Sequence, residues 1–470
     1  MKAYNPRLTP KDHQHAGTAA ILAGNANFDD QGLGKAKQLY DAIGKLFQER
    51  KIDLAVVGTK ASLLGNFYNE VVRDAGQLIP KVVRGSKAER MAVYRHPACH
   101  VLILSYETIV TDLEALTRLF GSNRVFFGID EGQYVKNSET QRAVACTALA
   151  DLAFGKTVLG GTPISNSETD AYSQLRFLGL DVGNTVEEFK LRYPTPESLR
   201  DLMRGRFIRR RKEEVKELNL PSKRIEVIEV DLSEEERRVY DLMVDDLLLE
   251  VQAVPNQEHV DLGNHLTALL RMIQYTSNPA LITSSVPGRG AKMKKLDEVV
   301  RGVLVDPDEK IIIWTSFRKN VEALLERYKE FSAVALYGGV ERDALMKNAK
   351  RFQEDPACRV LIAIPQCARE GFTLTRARNA VYLDRNFSYL DWAQSQDRIH
   401  RISQVKECRI ITIEAKDTID QRIDEVLKRK GELQRFLLGE TDEYNASASL
   451  SFEEFKSILT ARNTHEASHQ

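Results

Sequence analysis

The sequence has few cysteines and no excess of charge of either sign. Five cysteines are scattered through 470 residues, and none of them forms a Cys-x-x-Cys pair. This scatter argues against a structural zinc site and for a reducing compartment. Lysine plus arginine and aspartate plus glutamate both number 67, so the formal net charge is zero. Any nucleic-acid site must therefore be a local basic patch in a cleft, because a basic field over the whole chain is excluded.

Long apolar runs are also missing. No stretch approaches the roughly 18 apolar residues that a membrane-spanning helix needs, and Met1 to Pro10 carries no apolar signal segment. These absences favour a cytoplasmic or nucleoid-associated protein without a membrane partner. The chain shows no internal repeat, and its length predicts two to three domains, because one core cannot grow to this size.

The most informative stretch is an apolar strand that ends in two carboxylates. Residues 125–129 read Val-Phe-Phe-Gly-Ile, and Asp130 and Glu131 follow directly. In a parallel sheet, the carboxyl ends of the strands border the ligand crevice. Two acids there suit a magnesium ion and a water molecule that is to be oriented or deprotonated. Taken alone, the pair is more typical of a strand followed by a solvated acidic turn.

A glycine-containing loop precedes a predicted amphipathic helix near the start of the chain. Residues 31–36 are Gln-Gly-Leu-Gly-Lys-Ala, and apolar side chains follow at helical spacing. Glycines let the backbone approach a phosphate, and a lysine can reach the outer phosphates. The full pattern also has an earlier glycine and a hydroxyl residue after the lysine, where this chain has Asp29 and Ala36. The loop alone leaves a nucleotide site and an ordinary turn both open.

Short apolar strands alternate with helical segments in both halves of the chain. They include residues 54–58, 100–106, 310–314, 360–364, 380–383 and 409–413. This alternation predicts parallel, doubly wound α/β sheets. Polar clusters follow the strand ends, which is where ligands bind in such sheets.

Further motifs follow one another in a fixed order. The first half contains Gln14, then Asp-Asp-Gln-Gly-Leu-Gly-Lys (29–35), Lys-Ala-Ser-Leu (60–63), Ser-Tyr-Glu-Thr (105–108), Asp-Glu-Gly-Gln (130–133) with Lys136 and Asn137, and Gly-Thr-Pro-Ile (161–164) with Asn166. The second half contains Gln394, Asp397, Arg398, His400, Arg401, Ile402 and Gln404. In this order and spelling the chain resembles superfamily 2 helicases, and specifically the Swi/Snf-type double-stranded DNA translocases.

The resemblance covers residues 8–433 and implies an α/β fold, with two RecA-like parallel-sheet lobes and helical protrusions between them. We expect a first, ATP-binding lobe over residues 1–205 and a helical protrusion and linker region over 206–290. A second RecA-like, C-terminal helicase lobe would span 291–435, and a C-terminal helical tail 436–470. The insertions are short, so the chain resembles a minimal motor of bacterial or phage type, the latter acting in the host cytoplasm.

The resemblance also implies ATP and Mg²⁺ as cofactors, with ATP bound between the lobes. The implied ATP-contacting residues are Gln14, Gly32, Leu33, Gly34, Lys35 and Ala36. Asp130 would hold the metal and Glu131 would orient the attacking water. Arg398 and Arg401 would act from the second lobe as arginine fingers, and their spacing of three predicts that they share a helix face.

Double-stranded DNA is the implied macromolecular partner, with a DNA-bound protein that is displaced or remodelled as a further one. The implied contacts are to phosphates, which position a duplex without reading its sequence. They are Lys60, Ser62, Ser105, Tyr106, Lys136 and Asn137 in the first lobe, and Ser316, Gly338, Gly339 and Thr373 in the second.

Several departures from the family pattern keep other functions open. Ala36 replaces a serine or threonine, Gly132-Gln133 replaces Ala-His, Gly160 replaces a threonine, and residues 368–371 (Ala-Arg-Glu-Gly) replace a Gly-Gly-x-Gly run. Without the hydroxyl at position 36, the chain could be a catalytically weak or inactive nucleotide- and DNA-binding scaffold. An RNA helicase or strand-separating helicase is a third possibility, which the motif spellings disfavour.

Overall fold

The computed structural model describes residues 4–161, 164, 168–252, 262–284, 286, 289–368 and 372–442. Thr162, Pro163, Asn166, the 369–371 segment and the tail beyond residue 442 lie outside the described residues. The chain divides into two compact units, each with its own parallel sheet. The first comprises the residues up to Asn219 together with a segment that begins at Gly431, and the second is Leu220–Lys430.

The first unit is built on a five-stranded parallel sheet. The seven strands in the described part of the unit are β1 (Ala26–Asn27), β2 (Leu54–Thr59), β3 (Pro80–Val82), β4 (Val101–Ser105), β5 (Val125–Ile129), β6 (Gly155–Val158) and β7 (Phe207–Ile208). The sheet has the order β3-β4-β2-β5-β6, while β1 and β7 form a separate parallel pair. Every residue of β2, β4 and β5 is buried, as expected for apolar strands covered on both faces.

Helices cover both faces of this sheet. They are α1 (Asp12–Leu22), α2 (Lys35–Gln48), α3 (Leu64–Glu70), α4 (Lys87–Arg95), α5 (Tyr106–Thr111), α6 (Leu113–Ser122), α7 (Gln141–Leu152), α8 (Tyr172–Phe177), α9 (Val186–Arg192) and α10 (Pro196–Met203). Helix α2 buries Leu39 and Ile43 completely in the core, which confirms the apolar face predicted for the helix after the glycine loop.

The second unit contains a six-stranded parallel sheet. Its strands are β8 (Lys223–Val230), β9 (Ile311–Trp314), β10 (Val334–Leu336), β11 (Val360–Ala363), β12 (Asn379–Tyr382) and β13 (Cys408–Ala415), in the order β10-β11-β9-β12-β13-β8. Sequence analysis placed the β8 segment in the region between the lobes. In the structure it pairs with β13 along its whole length and forms one edge of the second sheet.

The helices of the second unit are α11 (Glu234–Gln252), α12 (Leu262–Ser277), α13 (Ala291–Val303), α14 (Arg318–Arg327), α15 (Arg342–Glu354), α16 (Pro365–Ala368), α17 (Tyr389–Gln396) and α18 (Ile419–Leu437), the last of which ends beyond the unit's boundary. A Ser233–Glu236 capping box begins α11, with reciprocal bonds of 3.0 and 3.3 Å. Tyr240, Leu269 and Ile423 pack α11, α12 and α18 together.

The α/β class with two parallel-sheet lobes, predicted from the sequence, is therefore confirmed. Of the helices in the described part of the chain, none combines the length and the apolar character needed to cross a membrane.

Candidate functional site

The glycine loop forms a tight turn directly before α2. Gly32 has a φ of 92° and Gly34 a φ of 78°, which is a left-handed conformation that favours glycine. A Cβ on Gly34 would lie 2.3 Å from Nε2 of Gln14, so the close approach of α1 to the loop also requires glycine there. The turn leaves the first amides of a 14-residue helix at the loop, and such amides bind anions.

Lys35 is the first residue of α2, and its ammonium group folds back over the loop. Nζ donates to the carbonyl oxygens of Asp29 at 2.7 Å and Asp30 at 3.1 Å. Burial lowers the pKa of Lys35, while the charges of Glu131, Asp29 and Asp130 raise it. Lys35 has no side-chain ion pair within the described ranges. Its positive charge therefore interacts with several nearby carboxylates and forms a close ion pair with none of them.

Asp130 is held at the end of β5 by three hydrogen bonds. Its N–H donates to the Gly58 carbonyl at 2.8 Å, and Oδ2 accepts from the Thr59 hydroxyl at 3.3 Å. The Tyr106 hydroxyl donates to the Asp130 carbonyl at 2.6 Å. Burial and the charge of Glu131 raise the pKa of Asp130, and Lys35 opposes them only in part. A buried, undercompensated carboxylate of this kind favours a bound cation.

These residues fit a magnesium ion that arrives with a nucleotide. In the described part of the chain, no three or more His, Cys, Asp or Glu side chains form a metal-binding group. Mg²⁺ does not need such a cage, because it keeps several waters and is typically held by one or two carboxylates plus substrate phosphates. Asp130 can supply the carboxylate, and the glycine loop with Lys35 can hold the phosphates.

Glu131 has a left-handed backbone, with φ and ψ both 56°. This conformation costs a non-glycine residue roughly 1–2 kcal/mol, so its surroundings must impose it. The next N–H, that of Gly132, donates to the Leu159 carbonyl at 2.9 Å, and Nε2 of Gln133 donates to the Glu131 carboxylate. Gln133 therefore orients the carboxylate that sequence analysis assigned to the attacking water.

Three of the departures from the family pattern lie against one another. A Cβ on Gly132 would lie 2.4 Å from Cγ1 of Val158, so the usual alanine does not fit without a shift. Oε1 of Gln133 is buried and, within the described ranges, has no hydrogen-bond partner. It lies 3.5 Å from the Cβ position of Gly160, where the family has a threonine. Positions 132, 133 and 160 therefore form one packed group.

Ser105 and Tyr106, both predicted DNA contacts, are buried at the end of β4. Ser105 is 5% exposed, and its hydroxyl accepts from the Thr108 N–H at 3.1 Å, which caps α5. Tyr106 is 1% exposed and bonds to Asp130, as described above. Both side chains position the surroundings of the acid pair. Their contact with DNA stays a prediction.

The other predicted DNA residues of the first unit are more accessible. Lys60 is partly exposed, with Nζ 5.9 Å from the centroid of the Tyr134 ring. Ser62 lies in a single helical turn after β2. Lys136 pairs with Asp170 at 3.3 Å, and Asn137 is exposed, with Oδ1 accepting from the Glu139 N–H. Two lysines and an amide thus follow the carboxyl ends of β2 and β5.

The prediction that Arg398 and Arg401 share a helix face is wrong. Helix α17 ends at Gln396, and both arginines lie in the turns after it. The backbone tightens there, because the N–H groups of Arg398 and Ile399 bond three residues back. The two guanidinium groups nevertheless converge, since each Nη1 donates to the Phe372 carbonyl, at 3.4 and 3.2 Å.

Arg398 and Arg401 differ in how they are held. Arg398 is 4% exposed, and its Nε donates to the Gln394 carbonyl at 3.0 Å. Arg401 is partly exposed and donates to the hydroxyl of Thr373 at 3.0 Å. Thr373, a predicted DNA contact, is itself exposed, so one predicted DNA residue and one predicted arginine finger are direct neighbours.

The remaining predicted contacts of the second unit follow β9 and β10. The Ser316 N–H donates to Asp384 at 2.6 Å, and Gly338 and Gly339 are exposed, with a φ of 85° at Gly339. Sequence analysis missed Arg318, whose guanidinium lies 5.4 Å from the Tyr337 ring and beside Gly339. The sequence signal that could have identified Arg318 is its position two residues after Ser316, a predicted DNA contact.

The role of the basic stretch 209–212 depends on contacts that are not visible in the sequence. The stretch directly follows β7 and packs on the glycine loop. Arg210 forms a bidentate ion pair with Asp29, and the Lys212 N–H donates to Asp30 at 3.0 Å. The first two residues of the loop motif are therefore held by a guanidinium group 181 residues away and a backbone N–H 182 residues away in sequence.

The sequence matches the SNF2-related domain over residues 13–281, more than half of the chain. The chain belongs to the SNF2-related family. Residues 291–403 of this SNF2-related chain match the helicase conserved C-terminal domain, which confirms the Swi/Snf-type superfamily 2 resemblance.

Among its curated relatives, the uncharacterized ATP-dependent helicase MG018 of Mycoplasma genitalium is 26% identical, over 96% of this chain and 42% of the relative. The putative ATP-dependent helicase/translocase YwqA of Bacillus subtilis is also 26% identical, over 96% of this chain and 50% of the relative. The SNF2-related chain thus spans half or less of these relatives. The Sulfolobus solfataricus SWI2/SNF2 ATPase core solved in complex with dsDNA is 23% identical, over 98% and 99% of the two chains, with a TM-score of 0.45.

The burial of the two arginines predicts different effects on stability. Arg398→Ala should lower the free energy of unfolding by about 1–3 kcal/mol, because buried carbonyl groups lose their donors. Arg401→Ala should have a smaller effect, because solvent can replace its bonds. Thermal melting measures both, with Arg422→Ala as a control at an exposed pair with Glu425. An Arg401→Ala effect as large as that of Arg398→Ala would contradict this interpretation.

Proposed function

We propose that the chain hydrolyses ATP and uses it to translocate on, or remodel proteins bound to, double-stranded DNA. The observation that carries the proposal is the shared electrostatic environment of Lys35, Asp130 and Glu131 in the first unit. A phosphate-binding lysine and two carboxylates there supply the charges that phosphoryl transfer needs. The ATP-dependent helicases and translocases among the relatives support this reading.

Each residue has a distinct part in the proposed reaction. The amides of Gly32 to Lys35 and the Lys35 ammonium would bind phosphates, Ala36 would follow them on the helix, and Gln14 would contact the base. Asp130 would hold Mg²⁺, which when bound neutralises charge on the phosphates. Glu131, oriented by Gln133, would accept a proton from the attacking water.

We also assign Arg398 and Arg401 of the second unit to this reaction. Arginine fingers stabilise the charge that develops during phosphoryl transfer and are worth roughly 10³–10⁵ in rate. Hydrolysis would then require both units. Such a requirement would couple the nucleotide state of the site to the movement of the motor.

Double-stranded DNA is the proposed track, bound through its phosphates. The accessible lysines Lys60 and Lys136 suit this task, because they add local positive charge to a neutral chain. Ser62, Asn137, Ser316, Gly338, Gly339 and Thr373 complete the proposed contacts, with Ser105 and Tyr106 behind them. A cytoplasmic or nucleoid location would follow from such a partner.

One observation favours a second candidate, a nucleotide- and DNA-binding scaffold with little or no turnover. The Ala36 methyl group packs partly buried against the core of the first unit and offers no oxygen to a metal. The two candidates differ in turnover and not in binding, so ATPase measurements separate them.

Glu131→Gln should lower ATP turnover by roughly 10²–10⁴-fold, the range expected for loss of a general base. Nucleotide affinity should stay nearly unchanged, because glutamine keeps the shape of the side chain. ATPase assays and titration with a fluorescent ATP analogue measure the two effects. Glu114→Gln, at an 84% exposed carboxylate, is the matched control. Equal loss of affinity and turnover would instead assign Glu131 to the metal or to the fold.

Duplex DNA should stimulate the ATPase rate several-fold over the rate without nucleic acid. The reason is that the proposed contacts are phosphate contacts suited to a continuous duplex backbone. Parallel assays with duplex DNA, single-stranded DNA and RNA of equal length test this. Stimulation by RNA with no response to duplex DNA would refute the translocase proposal and favour an RNA helicase.

Ala36→Thr should raise the ATPase rate at limiting magnesium and raise it less at saturating magnesium. In the usual loop the hydroxyl is a magnesium ligand, and a water can replace it here at a cost in affinity. Ala36→Val, with nearly the shape of threonine but no hydroxyl, controls for packing. A wild-type chain inactive at every magnesium concentration and rescued by threonine would favour the scaffold. No effect at any concentration would mean that position 36 does not face the metal.

A further inference from the structure

A single buried arginine joins four separate segments of the first unit. Arg209 donates from Nη1 to the Phe28 carbonyl at 2.7 Å and reaches the Gly161 carbonyl at 3.4 Å. The same nitrogen lies 2.7 Å from the Asp30 carboxylate, and Nε lies 2.6 Å from the Glu440 carboxylate. The guanidinium thus spans the strand before the glycine loop, the loop itself, the segment after β6 and the C-terminal segment.

The two carboxylates that contact Arg209 lie in different parts of the first unit, so the effects of removing them differ. Asp30 directly precedes the loop residues 31–35, and its carbonyl is one of the two acceptors of Lys35. Glu440 lies 231 residues beyond Arg209 in sequence and has no part in the proposed chemistry. Arg209 and Glu440 are 9% and 8% exposed, so their ion pair is sheltered from water and salt.

The C-terminal segment is anchored on the first unit by more than this pair. Phe436, Leu437 and Leu438 are all at most 5% exposed, and the Arg200 guanidinium lies 4.7 Å from the Phe436 ring. Glu440 therefore stands at the end of a docked apolar segment. Its carboxylate holds the guanidinium edge that carries Nε, which leaves Nη1 directed at Asp30 and the two carbonyls.

We propose that Glu440 and Arg209 are positioning residues of the phosphate loop, so that docking of the C-terminal segment sets the affinity for nucleotide. The inference rests on the proposed function, because it assumes that the loop binds ATP. A planar guanidinium held at one edge can present fixed donors at the other, whereas one released from Glu440 can rotate. Asp30 would then be left with its backbone partners, such as the Lys212 N–H and the Arg210 carbonyl, both at 3.0 Å, and the carbonyl that accepts from Lys35 would be less firmly placed.

Three substitutions in the full chain separate this role from general stability. Glu440→Ala removes the acceptor of Nε, and Glu440→Gln keeps a neutral acceptor of the same length. Arg209→Lys keeps the charge but cannot bond four groups at once. Asp442→Ala is the matched control, since Asp442 lies on the same segment and pairs with Arg200 at 2.7 Å, but is 95% exposed.

The measurement is titration with a fluorescent ATP analogue in the presence of magnesium, alongside thermal melting. Glu440→Ala and Arg209→Lys should each weaken the affinity about tenfold, equivalent to roughly 1.4 kcal/mol. Glu440→Gln should recover most of the loss, and Asp442→Ala should match the wild type. A purely structural role would lower the melting temperature without this graded change in affinity.

The outcomes distinguish this inference from the proposed function. If the wild-type chain binds no nucleotide, or Lys35→Ala binds it equally well, the proposed function fails and the inference fails with it. If Lys35→Ala loses binding while Glu440→Ala and Arg209→Lys keep it, only the inference is overturned. If one of these two variants does not fold, the nucleotide affinity of the other decides. If neither folds, the ion pair is needed for the fold itself and the positioning role is rejected.

Discussion

The first unit is organised around two adjacent carboxylates at the end of a strand. Asp130 and Glu131 follow β5 at the carboxyl edge of the sheet, where desolvation and the charge of Glu131 raise the pKa of Asp130. Neutral groups hold the pair in place, since Thr59, Tyr106 and Gln133 all donate to it. Lys35 supplies positive charge but is bonded to carbonyl groups. The acid pair therefore favours a bound cation, as the proposed metal-nucleotide site requires.

The same excess of negative charge explains why arginine side chains surround the glycine loop. Asp29 and Asp30 add two more carboxylates within reach of Lys35. Without partners they would compete with a phosphate for the ammonium group. Arg210 pairs with the first and Arg209 with the second, and this leaves Lys35 with the carbonyl oxygens of both. The basic stretch that looks like a solvated surface in the sequence is thus a set of counter-ions that keeps the lysine available.

Sequence analysis succeeded where the deciding interactions are local. The apolar strands and the helix after the glycine loop follow from spacing within one turn or one strand, and the structure has both. The resemblance supplied the order of motifs and hence the two-lobed fold. The shared helix face predicted for Arg398 and Arg401 was wrong, because spacing alone cannot show that a helix ends at Gln396.

The features that could not be predicted from the sequence are contacts between residues far apart in the chain. Tyr106 matches a family motif, but only the fold shows that its hydroxyl reaches the Asp130 carbonyl. The replacements at Gly132, Gln133 and Gly160 look like three separate departures until β6 brings them into one packed group. The buried Gln133 oxygen lies beside Gly160, where the family pattern has a threonine. Because Gln133 also donates to the Glu131 carboxylate, this packed group contacts a residue of the proposed chemistry.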